Sequence, residues 1–203
     1  MLKLIKTPVL IQFFFPSLLW SKERDKKTLY LTFDDGPCNI LSPFILDELK
    51  KYKAKATFFY LGYKVEKYPK LMKRCQDENH KIGNHTYSHP NGWITKNSTY
   101  YQDVEKANKL LNSNLFRPPY GRIKPSQINH LKKHYKIIMW DILSWDFDEK
   151  TSPEECYNNI INNTKSGSII VLHENEKSAK NVKEVLPKIL SYFSSQGFKF
   201  EKL

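Results

Sequence analysis

Two aspartates, Asp34 and Asp35, stand side by side in the stretch YLTFDDGP at residues 30–37. Four strand-favouring residues precede them, and a glycine and a proline follow. Neighbouring carboxylates disfavour each other's ionisation, so the pair requires positive charge close by. As the plain alternative, an Asp-Gly pair also forms turns after strands. The pair therefore predicts either a turn or a site that holds a cation or a basic side chain.

Two histidines, His85 and His89, lie four residues apart in the segment HTYSH. On a helical turn, positions i and i+4 share a face, so we expect both imidazoles to reach one divalent ion. His130 and His134 have the same spacing, but they lie among lysines on a predicted surface helix and are not expected to be ligands. Two imidazoles and the carboxylate of Asp35 would leave positions open for water and substrate, as in a catalytic zinc-type site.

A cation at this point would resolve the charge problem of the aspartate pair. Asp35 would bind the metal ion, and the charge of that ion would allow Asp34 to remain ionised beside it. Asp34 would then act as a base toward the bound water. The remaining question is whether the fold brings these residues together.

Short apolar strands alternate with helical patterns along the chain. Helices are predicted at residues 43–52, 69–78, 98–111, 125–135, 153–164 and 181–195, the third capped by Ser98 and the last bent at Pro187. The strand candidates are Leu29–Phe33, Thr57–Tyr60, Lys81–Asn84, Leu115–Arg117, Ile137–Trp140, Ser168–Leu172 and Phe198–Phe200. Such alternation implies a parallel sheet with outer helices, either an open doubly wound sheet or a closed barrel.

The placement of polar residues favours the barrel. Asp34, His85, Arg117 and His173 each lie just past the carboxyl end of a different predicted strand. In a barrel these ends converge on one mouth, where active sites are built. We therefore expect an α/β fold, a distorted (β/α) barrel of about seven parallel strands with outer helices.

Five short motifs resemble, in order, those of the polysaccharide deacetylases, carbohydrate esterase family four. They are TFDDGP at 32–37, HTYSH at 85–89, RPPYG at 117–121, WDILSWDF at 140–147 and VLH at 171–173. The resemblance runs from about residue 28 to the C-terminus and is strongest to small bacterial members. The fourth motif departs from the family, which often has Asp-Trp where this chain has Asp146-Phe147.

The resemblance implies a metal centre and a base. Asp35, His85 and His89 would bind a divalent metal ion, usually zinc. Asp34 would be the general base that takes a proton from the attacking water. Arg117 would pair with Asp34 and hold its orientation.

The resemblance also implies an acid, an oxyanion donor and a groove. His173 would be the general acid, with Asp146 orienting it and raising its pKa. The backbone N–H of Tyr120 would stabilise the oxyanion together with the metal. The side chains expected to line the substrate groove or hold the acetyl methyl are Pro119, Tyr120, Trp145 and Leu172.

The implied activity is metal-dependent hydrolysis of the N-acetyl group of N-acetylglucosamine units in a chitin oligosaccharide or in peptidoglycan. An amide is a poor electrophile with a poor leaving group, so it needs carbonyl polarisation, an activated water and proton delivery to nitrogen. Two alternatives stay open at this point. The same machinery would serve an O-acetyl esterase acting on acetylated xylan, and a chain with a dead site would be a carbohydrate-binding protein.

Composition gives weaker guidance on partners. The chain has 203 residues and a formal net charge of +12, and a high positive charge would suit binding to nucleic acid. However, 29 of the 33 basic residues are scattered lysines, whereas sequence-specific nucleic-acid readers favour arginine. We expect a solvated lysine-rich surface, an N-acetylated glycan as substrate, no nucleic-acid partner and a monomer.

The N-terminal region is ambiguous. The run Val9–Trp20 has the length of a signal-peptide core, but no small-x-small cleavage site follows it, and it is shorter than the ~20 apolar residues that span a bilayer. We expect no transmembrane segment. The predicted organisation is an N-terminal extension at 1–27, packed as strand and loop onto a polysaccharide deacetylase catalytic domain at 28–203.

The three cysteines, Cys38, Cys75 and Cys156, are an odd number at unrelated spacings. They form no disulfide framework or CxxC metal signature, so reduced thiols are expected. Together with the N-terminus, they favour a cytoplasmic location over export, whereas a cell-wall substrate would argue for export.

Overall fold

A parallel sheet forms the centre of the protein in a computed structural model, which describes residues 3–203. Seven strands lie in the spatial order β5-β4-β3-β2-β1-β7-β6, and β8 pairs with the start of β1. The strands are β1 (Thr28–Gly36), β2 (Ala56–Tyr60), β3 (Lys81–Asn84), β4 (Leu115–Phe116), β5 (Lys136–Ile137), β6 (Ile142–Leu143), β7 (Ile169–His173) and β8 (Lys199–Phe200).

Helices surround this sheet. They are α1 (Val9–Phe14), α2 (Ser42–Lys51), α3 (Gly62–Lys67), α4 (Pro69–Asp77), α5 (Asn97–Leu111), α6 (Pro125–Leu131), α7 (Pro153–Ile161) and α8 (Ala179–Ser195), with a 3₁₀ turn at Pro119–Gly121. Prolines stand at the first position of α4, α6 and α7, where a missing N–H costs no helical hydrogen bond. The seven main strands form a half-barrel with outer helices, which confirms the predicted fold.

One face of strand β1 packs in the hydrophobic core, and the other face points into the half-barrel. Leu29, Leu31 and Phe33 lie in the main hydrophobic cluster with buried residues of α2 and α8. Thr32 and Asp34 alternate with them and lie on the inner face of the half-barrel, because successive strand side chains point to opposite sides. The apolar face therefore packs under the helices, and the polar face lines the interior.

The structure corrects several predicted elements. Strand β6 and helix α3 were not predicted. Helix α5 begins at Asn97, and its N-cap residue Lys96 makes no side-chain cap, so Ser98 is not the cap. Helix α8 continues through Pro187.

The N-terminal run also differs from its prediction. Residues Val9–Phe14 form a short helix with no buried residue, not a strand, and Val9, Phe13 and Phe14 are each more than half exposed. On either side of this helix the chain does contact the sheet, because Lys6 bridges to Ile142 and Leu19 bridges to Ile138. Among the helices of residues 3–203, none combines the length and the apolar content that crossing a membrane would need.

Candidate active site

Asp34 and His173 lie side by side on two neighbouring strands of the sheet. They are register partners in the parallel pairing of β1 with β7, so the carboxyl ends of both strands meet at one point. Asp34 is 4% exposed, and its Oδ1 accepts a hydrogen bond from an Arg117 nitrogen at 2.7 Å. The strand pairing therefore places a candidate base beside a candidate acid.

Arg117 directly follows β4, and its side chain is fully buried. Besides Asp34, its guanidinium donates to the Thr32 hydroxyl at 2.7 Å and to the carbonyls of Ile138 and Met139 at 3.3 and 2.9 Å. Burial lowers the pKa of Arg117, and the neighbouring carboxylate opposes that shift. A guanidinium with its fork of donors fixed on four acceptors holds a single orientation, so Asp34 is fixed as well.

Three ligand-type groups converge next to this ion pair. Oδ1 of Asp35 lies 3.2 Å from Nε2 of His89 and 3.6 Å from Nε2 of His85. This oxygen is buried and accepts no hydrogen bond from any residue in the range 3–203. A buried oxygen without a partner is costly. A cation coordinated at this point would satisfy it.

The loop that carries the histidines is not the helical turn predicted from their spacing. Thr86 and His89 both have positive φ, at 73° and 64°, and residues 85–89 are irregular. The turn is held from α5, because a carboxylate oxygen of Asp103 accepts from the backbone N–H groups of Tyr87 and Ser88 at 2.7 and 3.0 Å. The two imidazoles thus converge through an anchored loop.

Hydrogen bonding fixes the tautomer of His85. Its Nδ1 lies 2.8 Å from the backbone carbonyl of Arg117, which accepts only, so Nδ1 carries the proton. Its Nε2 lone pair then faces Asp35. Burial lowers the pKa of His85 to about 4, so the imidazole is neutral at neutral pH, the form that ligates metals.

The surroundings of Asp35 keep its carboxylate ionised. Burial tends to raise its pKa, but the imidazoles of His89, His173 and His85 hold that pKa well below its usual value. Its second oxygen, Oδ2, accepts from the side-chain amide of Asn175 at 2.9 Å. Two imidazoles and one ionised, oriented carboxylate are a donor set that fits a divalent cation with open positions.

The candidate acid has a carboxylate partner of its own. Nδ1 of His173 lies 2.7 Å from Oδ1 of Asp146, and Oδ2 of the same carboxylate accepts from the His173 backbone N–H at 2.6 Å. Burial alone would lower the pKa of His173, but the charge of Asp146, reinforced by Asp35 and Asp34, raises it to about 9. The imidazole is therefore protonated at neutral pH and able to give a proton.

Tyr120 packs against His89, one of the three candidate metal ligands. It has a positive φ of 60° in the 3₁₀ turn, its ring centroid lies 4.4 Å from that of His89, and it is 60% exposed. Its backbone N–H donates to no acceptor within residues 3–203. Pro119, beside it, is buried. A free backbone donor next to the ligands is what an oxyanion site requires.

The predicted groove residues require one correction. Leu172 is fully buried in the main cluster on the helix side of the sheet, because it pairs with Phe33, so it does not line the site. Val171, which pairs with Thr32, lies on the same strand face as His173. The predicted groove residue, Leu172, is therefore off by one position, because its neighbour Val171 lies on the face of the strand that lines the site.

Two aromatic side chains, Trp145 and Phe147, pack together near the candidate acid. Trp145 stacks on Phe147 at 5.4 Å, and its indole N–H donates to the carbonyl of Leu4 at 3.1 Å. Phe147 in turn contacts His173, with ring centroids 4.7 Å apart. The phenylalanine that departs from the family pattern therefore lies against the candidate acid, and Trp145 lies behind it.

Three residues that position the site were missed from the sequence: Asp103, Phe147 and Asn175. Asn175 stands two positions after His173, which is a signal that was present but not used. Asp103 gives no local signal, because it acts from a distant helix.

A known protein family matches more than half of this chain. Residues 21–136 match the sequence profile of the family described as polysaccharide deacetylase. That stretch is more than half of the chain. The chain belongs to the polysaccharide deacetylase family.

Individual family members match most of the chain. A peptidoglycan-N-acetylglucosamine deacetylase of Bacillus cereus is 34% identical over 191 residues, covering 89% of this chain and 88% of the relative. A peptidoglycan-N-acetylmuramic acid deacetylase of Bacillus subtilis is 32% identical over 189 residues, covering 88% and 70%. A crystal structure of a peptidoglycan N-acetylglucosamine deacetylase superposes with a TM-score of 0.90 at 33% identity, covering 97% of this chain and 95% of that one.

The amide of Asn175 predicts the effect of removing one positioning group. With zinc as the probe, Asn175→Ala should weaken binding of a divalent cation at Asp35, His85 and His89 about 10- to 100-fold, the range typical of partners that orient metal ligands. Competition titration against a fluorescent chelator measures the affinity. Asn162→Ala, an exposed asparagine at the end of α7, is the matched control and should leave affinity unchanged. Equal affinities for all three proteins would contradict the role of Asn175.

The Asp146–His173 pair predicts a pH effect. A group whose folded pKa is raised stays protonated up to that pKa, so activity that needs the protonated imidazole is lost as pH rises through it. Asp146→Asn removes the charge that raises this pKa, and the alkaline limb of the kcat/KM profile should move to lower pH. An unmoved alkaline limb in a folded variant would show that His173 is not the group that titrates there.

Proposed function

We propose that this polysaccharide deacetylase hydrolyses the N-acetyl group of N-acetylglucosamine units in a glycan. The observation that carries the proposal is the grouping next to Asp35 of two held side chains: the Asp34 carboxylate, held by Arg117, and the His173 imidazole, held by Asp146. A base, an acid and a three-ligand centre at one mouth are the parts that amide hydrolysis needs.

Asp35, His85 and His89 would hold a divalent cation, for which we propose zinc. Imidazole nitrogen and carboxylate oxygen are common zinc donors, and the three atoms lie within 4.8 Å of one another. When bound, such an ion polarises a carbonyl and lowers the pKa of water.

Side chains and one backbone N–H of this chain would transfer the protons and stabilise the developing negative charge. Asp34, fixed by Arg117, takes a proton from the water as its oxygen adds to the acetyl carbon. The N–H of Tyr120 donates to the oxygen that gains negative charge. His173, protonated and oriented by Asp146, gives its proton to the amide nitrogen as the carbon–nitrogen bond breaks. The products are acetate and a free amine on the sugar.

The relatives bear on the substrate. Both curated relatives above are named as deacetylases of peptidoglycan sugars, which favours an N-acetyl group over the O-acetyl group of xylan. Peptidoglycan and chitin oligosaccharide are the proposed glycans. A carbohydrate-binding protein with a dead site is disfavoured, since the ligand set, the base and the acid are all present.

The domain organisation stays a proposal as well. We propose a catalytic domain at 28–203 with residues 1–27 as an extension packed on it. The bridges from Lys6 and Leu19 to the edge of the sheet support this division. The indole of Trp145 adds a link, because it donates to Leu4.

Acetate release tests the function directly. Zinc-supplied protein should release acetate from peptidoglycan and from chitin oligosaccharides, and little from acetylated xylan. A chelator should abolish release, and Asp34→Asn should reduce kcat by about 10²- to 10⁴-fold, as for loss of a general base.

Asp25→Asn, which changes an exposed carboxylate outside the five motifs, is the control and should keep wild-type activity. Acetate release that survives both chelation and Asp34→Asn would refute the proposal, and so would release from acetylated xylan alone.

A further inference from the structure

An exposed tryptophan, Trp93, is connected to the candidate metal ligand His89 through Tyr120 and Arg122. The ring of His89 contacts that of Tyr120 at 4.4 Å. The Arg122 guanidinium lies 5.9 Å from the Tyr120 centroid and 5.1 Å from that of Trp93. Trp93 is 58% exposed, although a large apolar ring gains free energy by burial. None of the proposed chemistry uses it.

The loop that presents Trp93 is held firmly. Oδ1 of Asn91 accepts from the Trp93 backbone N–H at 3.0 Å, and the Asn91 carbonyl accepts from the backbone N–H of Thr95 at 3.0 Å. The fully buried amide of Gln127 donates to the carbonyl of Gly92 at 3.0 Å. The exposed ring therefore stands on a fixed loop.

Gly92 explains how the loop comes so close to the segment after the 3₁₀ turn. A Cβ at this position would lie 2.3 Å from the backbone oxygen of Arg122, which is too close for any side chain. Lys124 adds a further tie by donating to the carbonyl of Thr95 at 2.8 Å. The backbone segments that carry Trp93 and Arg122 are therefore tied to each other.

We propose that Trp93, with Arg122 beside it, forms a second sugar subsite that binds the pyranose ring next to the unit being deacetylated. This inference rests on the proposed function. A pyranose has an apolar face of C–H groups, and an indole offers a flat surface with a negative π-face that such a ring can cover. The Arg122 guanidinium lies within cation–π distance of both rings and has N–H donors that sugar oxygens can accept from. Preorganised aromatic surface binds with little loss of side-chain entropy.

The subsite predicts a dependence on substrate length. Trp93→Ala should lower kcat/KM for a pentamer of N-acetylglucosamine by about five- to tenfold, in line with the loss of one aromatic contact. Hydrolysis of 4-nitrophenyl acetate should be unchanged, because this small ester does not reach Trp93. Trp93→Phe should recover most of the loss, and Ile94→Ala, an 83% exposed neighbour, should match wild type. A peptidoglycan arm with the same variants distinguishes the two glycan sources.

Binding separates this inference from the proposed function. Calorimetric titration of the pentamer into zinc-supplied Asp34→Asn protein should show affinity that falls about five- to tenfold when Trp93→Ala is added. If wild type released no acetate but this difference persisted, the proposed function would fail and the subsite would stand. If wild type and Trp93→Ala bound and deacetylated the pentamer equally, the subsite would be refuted and the function would stand.

Discussion

Two carboxylates on consecutive residues, both largely withdrawn from water, impose the constraint on which this site depends. Each needs its own positive partner, because their mutual repulsion is weakly screened in a buried setting. Asp34 receives the Arg117 guanidinium at 2.7 Å. Asp35 receives two imidazoles, of which the fully enclosed one, His85, is neutral at neutral pH. One oxygen of Asp35 stays without a hydrogen-bond partner among the described residues, and a cation at that point resolves the imbalance.

Arg117 connects the two halves of the site. Its side chain fixes Asp34, while its backbone carbonyl accepts the Nδ1 proton of His85. The packing around it supports both contacts, since its guanidinium lies 4.2 Å from the ring centroid of Phe59. That ring needs Gly83 beside it, where a Cβ would lie 2.4 Å from the aromatic carbons. A change at any of these positions would therefore affect the positions of Asp34 and His85 together.

The sequence predicted β1 and β7, which carry Asp34 and His173, because their apolar runs end in polar residues. Strands β1, β2, β3 and β7 fall where the pattern placed them. The pattern did not predict β6, which is defined by its pairing with β7. The family motifs brought together residues that no local pattern links, such as Asp34 and Arg117, which are 83 positions apart.

The errors within the site have physical causes. The spacing of His85 and His89 suggested a helical turn, but the turn uses positive φ at Thr86 and is stabilised by Asp103 on α5, a long-range contact. Leu172 was chosen by its closeness to His173 in the chain, yet the strand pleat turns it to the opposite face. Both errors arise where tertiary structure, rather than local periodicity, decides which way a side chain points.

The central claim is that Asp35, His85 and His89 hold one divalent ion. X-ray absorption spectroscopy of the zinc-loaded protein at the zinc edge tests this most directly. The account predicts a first shell of nitrogen and oxygen only, at about 2.0–2.2 Å, with outer-shell scattering from two imidazoles that drops to one in His89→Ala. A sulfur shell near 2.3 Å, or a spectrum unchanged by His89→Ala, would contradict it.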